Sequence, residues 1–173
     1  MPGLSFVIVK KEALNKLEPN GRSFYFDLLS QHQSIEKTKQ TRFTPPVQVI
    51  YALRQALDEY FAETGEGRRR RYTENWNLLY EGVCTIGFRP LLHVEHESRI
   101  LTAFCEPPDP EYSFGEMHDF LYEKGFTIYP GKGARKETFR LSILGDLYPD
   151  DIRSFLEALK AYVKHKKLRF QYF

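Results

Sequence analysis

The stretch from residue 138 to residue 159, TFRLSILGDLYPDDIRSFLEAL, changes its apolar period once, and that change decides the fold. From Thr138 to Ile143 the residues are β-rich and suit a pleated, half-buried surface. From Pro149 onward Ile152, Phe155, Leu156, Leu159 and Val163 recur at helical spacing. Pro149, Asp150 and Asp151 sit where a first helical turn favours proline and negative charge, and Lys164, Lys166 and Lys167 sit where a last turn favours cations. A strand followed at once by a capped amphipathic helix is therefore expected.

Upstream, the β-rich run Phe126 to Tyr129 is joined to that strand by a Gly- and Lys-rich loop, which predicts antiparallel neighbours. Before it, Ser113 and Glu116 match a capping box, and Phe114, Met117 and Leu121 share one helical face that ends at Gly125. Ile100 to Phe104 predicts another strand, broken off by Pro107, Pro108, Asp109 and Pro110. Two longer helical patterns precede it. One follows Thr44, Pro45 and Pro46 through Val47, Ile50, Leu53, Leu57 and Phe61; the other runs from Tyr72 through Trp76, Leu79 and Val83 to Ile86 and stops at Gly87. Gln31 to Gln40 is polar without periodicity and predicts a loop, whereas Leu4 to Val9 predicts a strand. The order gives an α+β fold, a small antiparallel or mixed sheet packed with helices.

Apolar residues at 42% and charged residues at 28% are ordinary for a globular chain of 173 residues. The net charge of +2 provides no global field for nucleic acid or anionic lipid, and neither partner is expected. Cys84 and Cys105 have no CxxC spacing, which fits a reducing compartment, and the apolar runs are too short for a membrane span; a cytoplasmic protein is expected.

Few residues invite chemistry. Arg68 to Arg71 could meet phosphate groups, but Glu63, Glu66 and Glu74 cancel much of their field, and a solvated first helical turn is the plainer expectation. His93 and His96 read as structural or surface histidines and the two cysteines as packing residues, so no metal is expected. Gly131, Lys132 and Gly133 form either an ordinary hairpin loop or an anion-facing turn. Arg140 is held by strand geometry and either closes a structural salt bridge or forks onto a carboxylate or phosphonate. Thr44 either caps a helix or contributes to phosphate binding.

Four segments occur in a telling order: PGLSFVIVKKEAL, RFTPPVQVIYALRQALDE, FLYEKGFTIYPGK and the stretch quoted first. Together they resemble the carboxy-terminal part of class V, fold-type I pyridoxal-phosphate aminotransferases, the family of 2-aminoethylphosphonate:pyruvate transaminases. The resemblance implies a homodimer with shared active sites, or a complementary amino-terminal polypeptide, and it implies pyridoxal phosphate as cofactor. It implies 2-aminoethylphosphonate and pyruvate as substrates, with phosphonoacetaldehyde and alanine as products. It places Thr44 at the cofactor phosphate of the partner subunit, Arg140 on the substrate's acidic group, and Lys132 in a turn near the mouth of the active site. It puts the Schiff-base lysine upstream of residue 1, so no catalytic residue is expected here and the chain alone is expected to be inactive. Residues 1–64 then correspond to a remnant of the large cofactor-binding domain with its connecting helix, and 65–173 to the small domain. The rival expectation is a cofactor-free binding module that keeps the small-domain fold. The family's FRIGNIGE-like segment is FRLSILGD here.

Overall fold

The computed structural model describes residues 4–18, 22–131 and 136–170. The chain forms two compact units, Met1–Ala62 and Glu63–Phe173.

The first unit carries α1 (Lys11–Leu14), α2 (Leu28–Thr38) and nearly all of α3 (Val47–Glu63), and none of these helices has a buried residue. The predicted loop at 31–40 is mostly α2. Asp27 caps it, accepting from the Ser30 backbone N–H at 3.1 Å and the Ser30 hydroxyl at 2.6 Å, and Lys39 ends it in the left-handed conformation. The reading missed this helix because Gln, Glu and Lys are good helix formers that show no apolar stripe. The predicted strand Leu4–Val9 does not form either. A strand needs a ladder partner, and among the described residues it has none, which leaves Phe6 74% and Ile8 90% exposed. α3 follows the helical spacing, but Val47, Ile50 and Phe61 remain exposed.

The second unit holds a layered core. α4 (Gly65–Ile86) starts earlier than the spacing suggested, because Thr64 accepts from the Gly67 N–H at 3.1 Å and caps it. It stops at Gly87, whose φ of +124° disfavours a side chain and whose missing Cβ leaves room for the Phe170 ring. β1 (Leu101–Cys105), α5 (Phe114–Tyr122), β2 (Tyr129–Pro130), β3 (Thr138–Ser142) and α6 (Pro149–Lys166) follow. The sheet order is β1-β3-β2 with both pairings antiparallel, the antiparallel form of the expected small sheet.

Alternation separates the two faces of this sheet. Thr102 and Phe104 of β1 and Phe139 and Leu141 of β3 are buried, whereas Leu101, Ala103, Arg140 and Ser142 point the other way and keep some exposure. The buried side meets Trp76, Leu79 and Val83 of α4, Met117 and Leu121 of α5, and Phe155, Leu159 and Tyr162 of α6 in one apolar cluster. Phe104 and Phe139 stack with ring centroids 5.8 Å apart, and Phe88 meets Phe139 edge-on at 5.2 Å. α6 packs on both α4 and α5. Its start is fixed by Asp151, whose carboxylate accepts the Tyr148 N–H at 2.8 Å; the start of α5 is fixed by the Ser113 hydroxyl, which accepts the Glu116 N–H at 3.5 Å.

The expected solvated turn at Arg68–Arg71 is only partly so. Arg71 keeps 12% of its side chain exposed, and its Nε lies 2.6 Å from Glu63 Oε1. Arg68 Nε reaches the other oxygen of the same carboxylate at 2.7 Å. Two guanidinium groups donating to one carboxylate hold the Glu63 pKa down at about 2.

Candidate functional site

Arg140 occupies the middle of the central strand, opposite Ala103 on one side and Tyr129 on the other. Its Nε donates to the Pro130 carbonyl of β2 at 3.2 Å, which restrains the guanidinium. Arg140 lines a cleft of about 500 Å³ together with Tyr129, Phe126, Leu144, Leu147, Asp151 and Phe155. Among the described residues no carboxylate pairs with Arg140, so the structural salt bridge left open by the sequence does not form. A half-buried guanidinium without an acidic partner, set beside an apolar wall, suits a small ligand with a carboxylate or phosphonate at one end.

Lys132 lies outside the described residues. The preceding Gly131 folds tightly onto β3, its N–H donating to the Thr138 carbonyl at 2.5 Å, and a Cβ at that position would strike the Thr138 side chain.

Thr44 lies in the first unit, exposed, in a shallow depression with Tyr25, Gln40, Thr41, Arg42 and Phe43. It does not cap α3. Pro45 and Pro46 intervene, and the first turn is closed instead by Val47 N–H to Pro45 O at 2.9 Å and Ile50 N–H to Pro46 O at 3.0 Å. Among the described residues the Thr44 hydroxyl has no hydrogen-bond partner, so it is available to an external acceptor. Arg42 beside it is fixed by the Phe24 carbonyl at 2.6 Å and by the Phe24 ring, 4.4 Å from its guanidinium carbon.

The other candidates are quiet. His93 precedes and His96 ends a short 3-10 turn, with His93 Nδ1 3.8 Å from the Glu95 carboxylate, and no group of three His, Cys, Asp or Glu among the described residues could hold a metal ion. Burial, then the nearby Glu97 carboxylate, push the Cys84 thiol pKa up, the opposite of what a nucleophile needs. No described helix is long and apolar enough to cross a membrane.

Sequence reasoning missed the support of the Arg140 cleft. Arg71 Nη1 donates to the carbonyls of Gly145 and Leu147, 74 and 76 positions away, at 3.0 and 2.8 Å. The only signal was four arginines in a row, which does not distinguish the fourth from the other three.

The structure superposes on solved aminotransferases. It matches an alanine–glyoxylate aminotransferase from Nostoc sp. with a TM-score of 0.73 at 21% identity, covering 88% of this chain and 41% of that one. It matches an aspartate aminotransferase of subgroup IV from Thermus thermophilus with a TM-score of 0.72 at 22% identity, covering 91% and 43%. The fold is therefore that of the carboxy-terminal part of a fold-type I aminotransferase.

Sequence narrows the class. Curated proteins named 2-aminoethylphosphonate–pyruvate transaminase are 41% identical in Burkholderia ambifaria over 160 residues, 40% in Phocaeicola vulgatus over 166, and 34% in Cupriavidus necator over 172. The alignments cover 92%, 95% and 99% of this chain, and the chain spans 43 to 46% of the length of these relatives. No protein-family model matches. The chain belongs to the 2-aminoethylphosphonate–pyruvate transaminase family, of which it spans under half the length.

Proposed function

We propose that the chain supplies the carboxy-terminal part of a pyridoxal-phosphate-dependent transaminase that moves an amino group from 2-aminoethylphosphonate, or a related amine, to pyruvate. The observation that carries this reading is Arg140: the residue that the family resemblance places on the substrate's acidic group lines a cleft in which no described carboxylate pairs with it, the lining acid Asp151 being engaged by the Tyr148 N–H at the start of α6. On this reading 1–64 is the remnant of the large cofactor-binding domain with its connecting helix, and 65–173 is the small domain.

The donor set fits the cofactor at its phosphate end. Thr44 offers an unpartnered hydroxyl beside a restrained arginine, which suits a phosphate oxygen, and the family resemblance assigns that phosphate to a second copy of the chain. When bound, pyridoxal phosphate supplies an electron sink for the proton shift at the carbon that carries the amine. The residues of this chain bind and orient. Arg140 takes the phosphonate or carboxylate in a forked contact, and with Nε tied to Pro130 it approaches with its direction already set. The apolar side chains of Phe126, Leu144 and Leu147 keep water from the contact and so strengthen it.

The test joins the purified chain with a polypeptide that supplies the other half of the family's sequence, then adds pyridoxal phosphate, 2-aminoethylphosphonate and pyruvate. Alanine and phosphonoacetaldehyde should appear in equal amounts. A complex that binds the cofactor by absorbance and yet forms no alanine from this or any related amine overturns the proposal.

A further inference from the structure

The segment between β3 and α6 forms one wall of the Arg140 cleft through Leu144 and Leu147. Its two ends are held locally, by the Leu144 N–H donating to Ser142 Oγ at 3.2 Å and the Tyr148 N–H donating to Asp151 Oδ2 at 2.8 Å, and Gly145 between them sits at φ +115° with nothing within 4 Å of where a Cβ would lie. The restraint between those ends comes from α4. Arg71 donates to Gly145 O at 3.0 Å and Leu147 O at 2.8 Å, Asn75 Nδ2 donates to Leu147 O at 2.7 Å, and the Tyr72 hydroxyl accepts the Gly145 N–H at 3.4 Å. Positions 71, 72 and 75 lie on adjoining turns of one helix, so a single rigid element grips the wall at Gly145 and Leu147. Arg71 is itself anchored from behind by Glu63, at 2.6 Å through Nε and 3.1 Å through Nη2, and its guanidinium carbon lies 5.1 Å from the Tyr72 ring centroid and 5.2 Å from that of Tyr148.

We propose that Arg71 is a positioning residue of the Arg140 cleft: it holds the wall formed by Leu144 and Leu147 so that an acidic ligand on Arg140 meets apolar surface in one arrangement. This rests on the proposed role of Arg140. A guanidinium suits the task because two carbonyls on one side and a carboxylate on the other need its planar set of donors; an ammonium cannot span both. The contact lies outside the ligand's reach, so Arg71 acts through the wall and not by touching substrate.

The experiment titrates the isolated chain with 2-aminoethylphosphonate and follows the Arg140 Nε–H resonance by NMR, assigned through Arg140→Ala, together with amide hydrogen exchange at 144–147. In the wild-type chain the Arg140 signal should shift saturably. In Arg71→Lys and Arg71→Ala the midpoint should weaken by about tenfold, as misplacement of a binding wall costs, and exchange at 144–147 should quicken by about tenfold or more while the interior of α6 stays protected. Tyr72→Phe, which removes only the acceptor for Gly145, keeps the test alive if the Arg71 variants do not fold, and it should give a smaller change in the same direction. A purely structural Arg71 would lower the melting temperature and leave the midpoint of the folded molecules unchanged; that result overturns the proposal and leaves the role of Arg140 standing. No shift of Arg140 in the wild-type chain overturns that role and the proposal with it.

Discussion

Trp76 and Thr102 join α4 to the sheet: the indole Nε1–H donates to Thr102 Oγ1 at 3.0 Å, with the two residues 4% and 1% exposed. Thr102→Val keeps the shape and removes both the acceptor for Trp76 and the hydroxyl that hydrogen-bonds Glu97, leaving a buried donor orphaned, and should cost about 1–3 kcal/mol. A urea titration should show a lower midpoint with an unchanged slope. Adding Trp76→Phe should restore part of that loss beyond simple additivity, because the orphaned donor goes with it.

Burial raises the Glu97 carboxyl pKa, and a hydrogen bond from Thr102 partly opposes the shift. For an acid with a raised folded pKa, the favourable contribution is complete below the unfolded value and is lost as pH rises through the folded value. Glu97→Gln should therefore melt higher than wild type at neutral pH and alike at pH about 4, near the unfolded carboxyl value. Equal melting points at both pH values would mean that Glu97 is effectively solvated.

Glu63 carries the opposite sign. Its pKa is lowered from 4.5 to about 2, first by hydrogen bonds from Arg71 and then from Arg68, so its contribution is present above 4.5 and is lost as pH falls from there through about 2. The acid-unfolding curve of Glu63→Gln should be flatter than wild type across that window. Protection of the amides at 144–147, taken relative to the intrinsic exchange rate at each pH, should fall over the same range in the wild-type chain, since Glu63 anchors Arg71.

On the role proposed for Arg140, Arg140→Lys retains the charge and loses the planar set of donors. In the completed enzyme it should raise the KM for 2-aminoethylphosphonate by about tenfold with a smaller change in kcat, measured as alanine formed. Unchanged kinetics would remove Arg140 from substrate binding.

The helices of the second unit were legible because their signals are local. Ser113, Gly87 and the Pro149–Asp151 start act on neighbours within three or four residues, so the order of letters alone places them. α2 was missed for the complementary reason: its cap, Asp27, lies in an aromatic stretch and its polar residues leave no periodic mark. Leu4–Val9 misled because β-propensity describes fitness for a pleated surface and does not supply the second strand.

At the candidate site the division falls between residue type and residue setting. The sequence determined that Arg140 stands in a strand, that Thr44 precedes a proline-led helix, and, through four ordered segments, which family the chain resembles. Only the tertiary structure decided that no carboxylate among the described residues pairs with Arg140, that Thr44 is not a cap, and that one arginine of four crosses to a loop 74 positions away. Such contacts depend on which faces pack together once apolar surface is buried. A guanidinium also takes any carbonyl or carboxylate that packing brings within reach, so its partner is not written beside it in the chain.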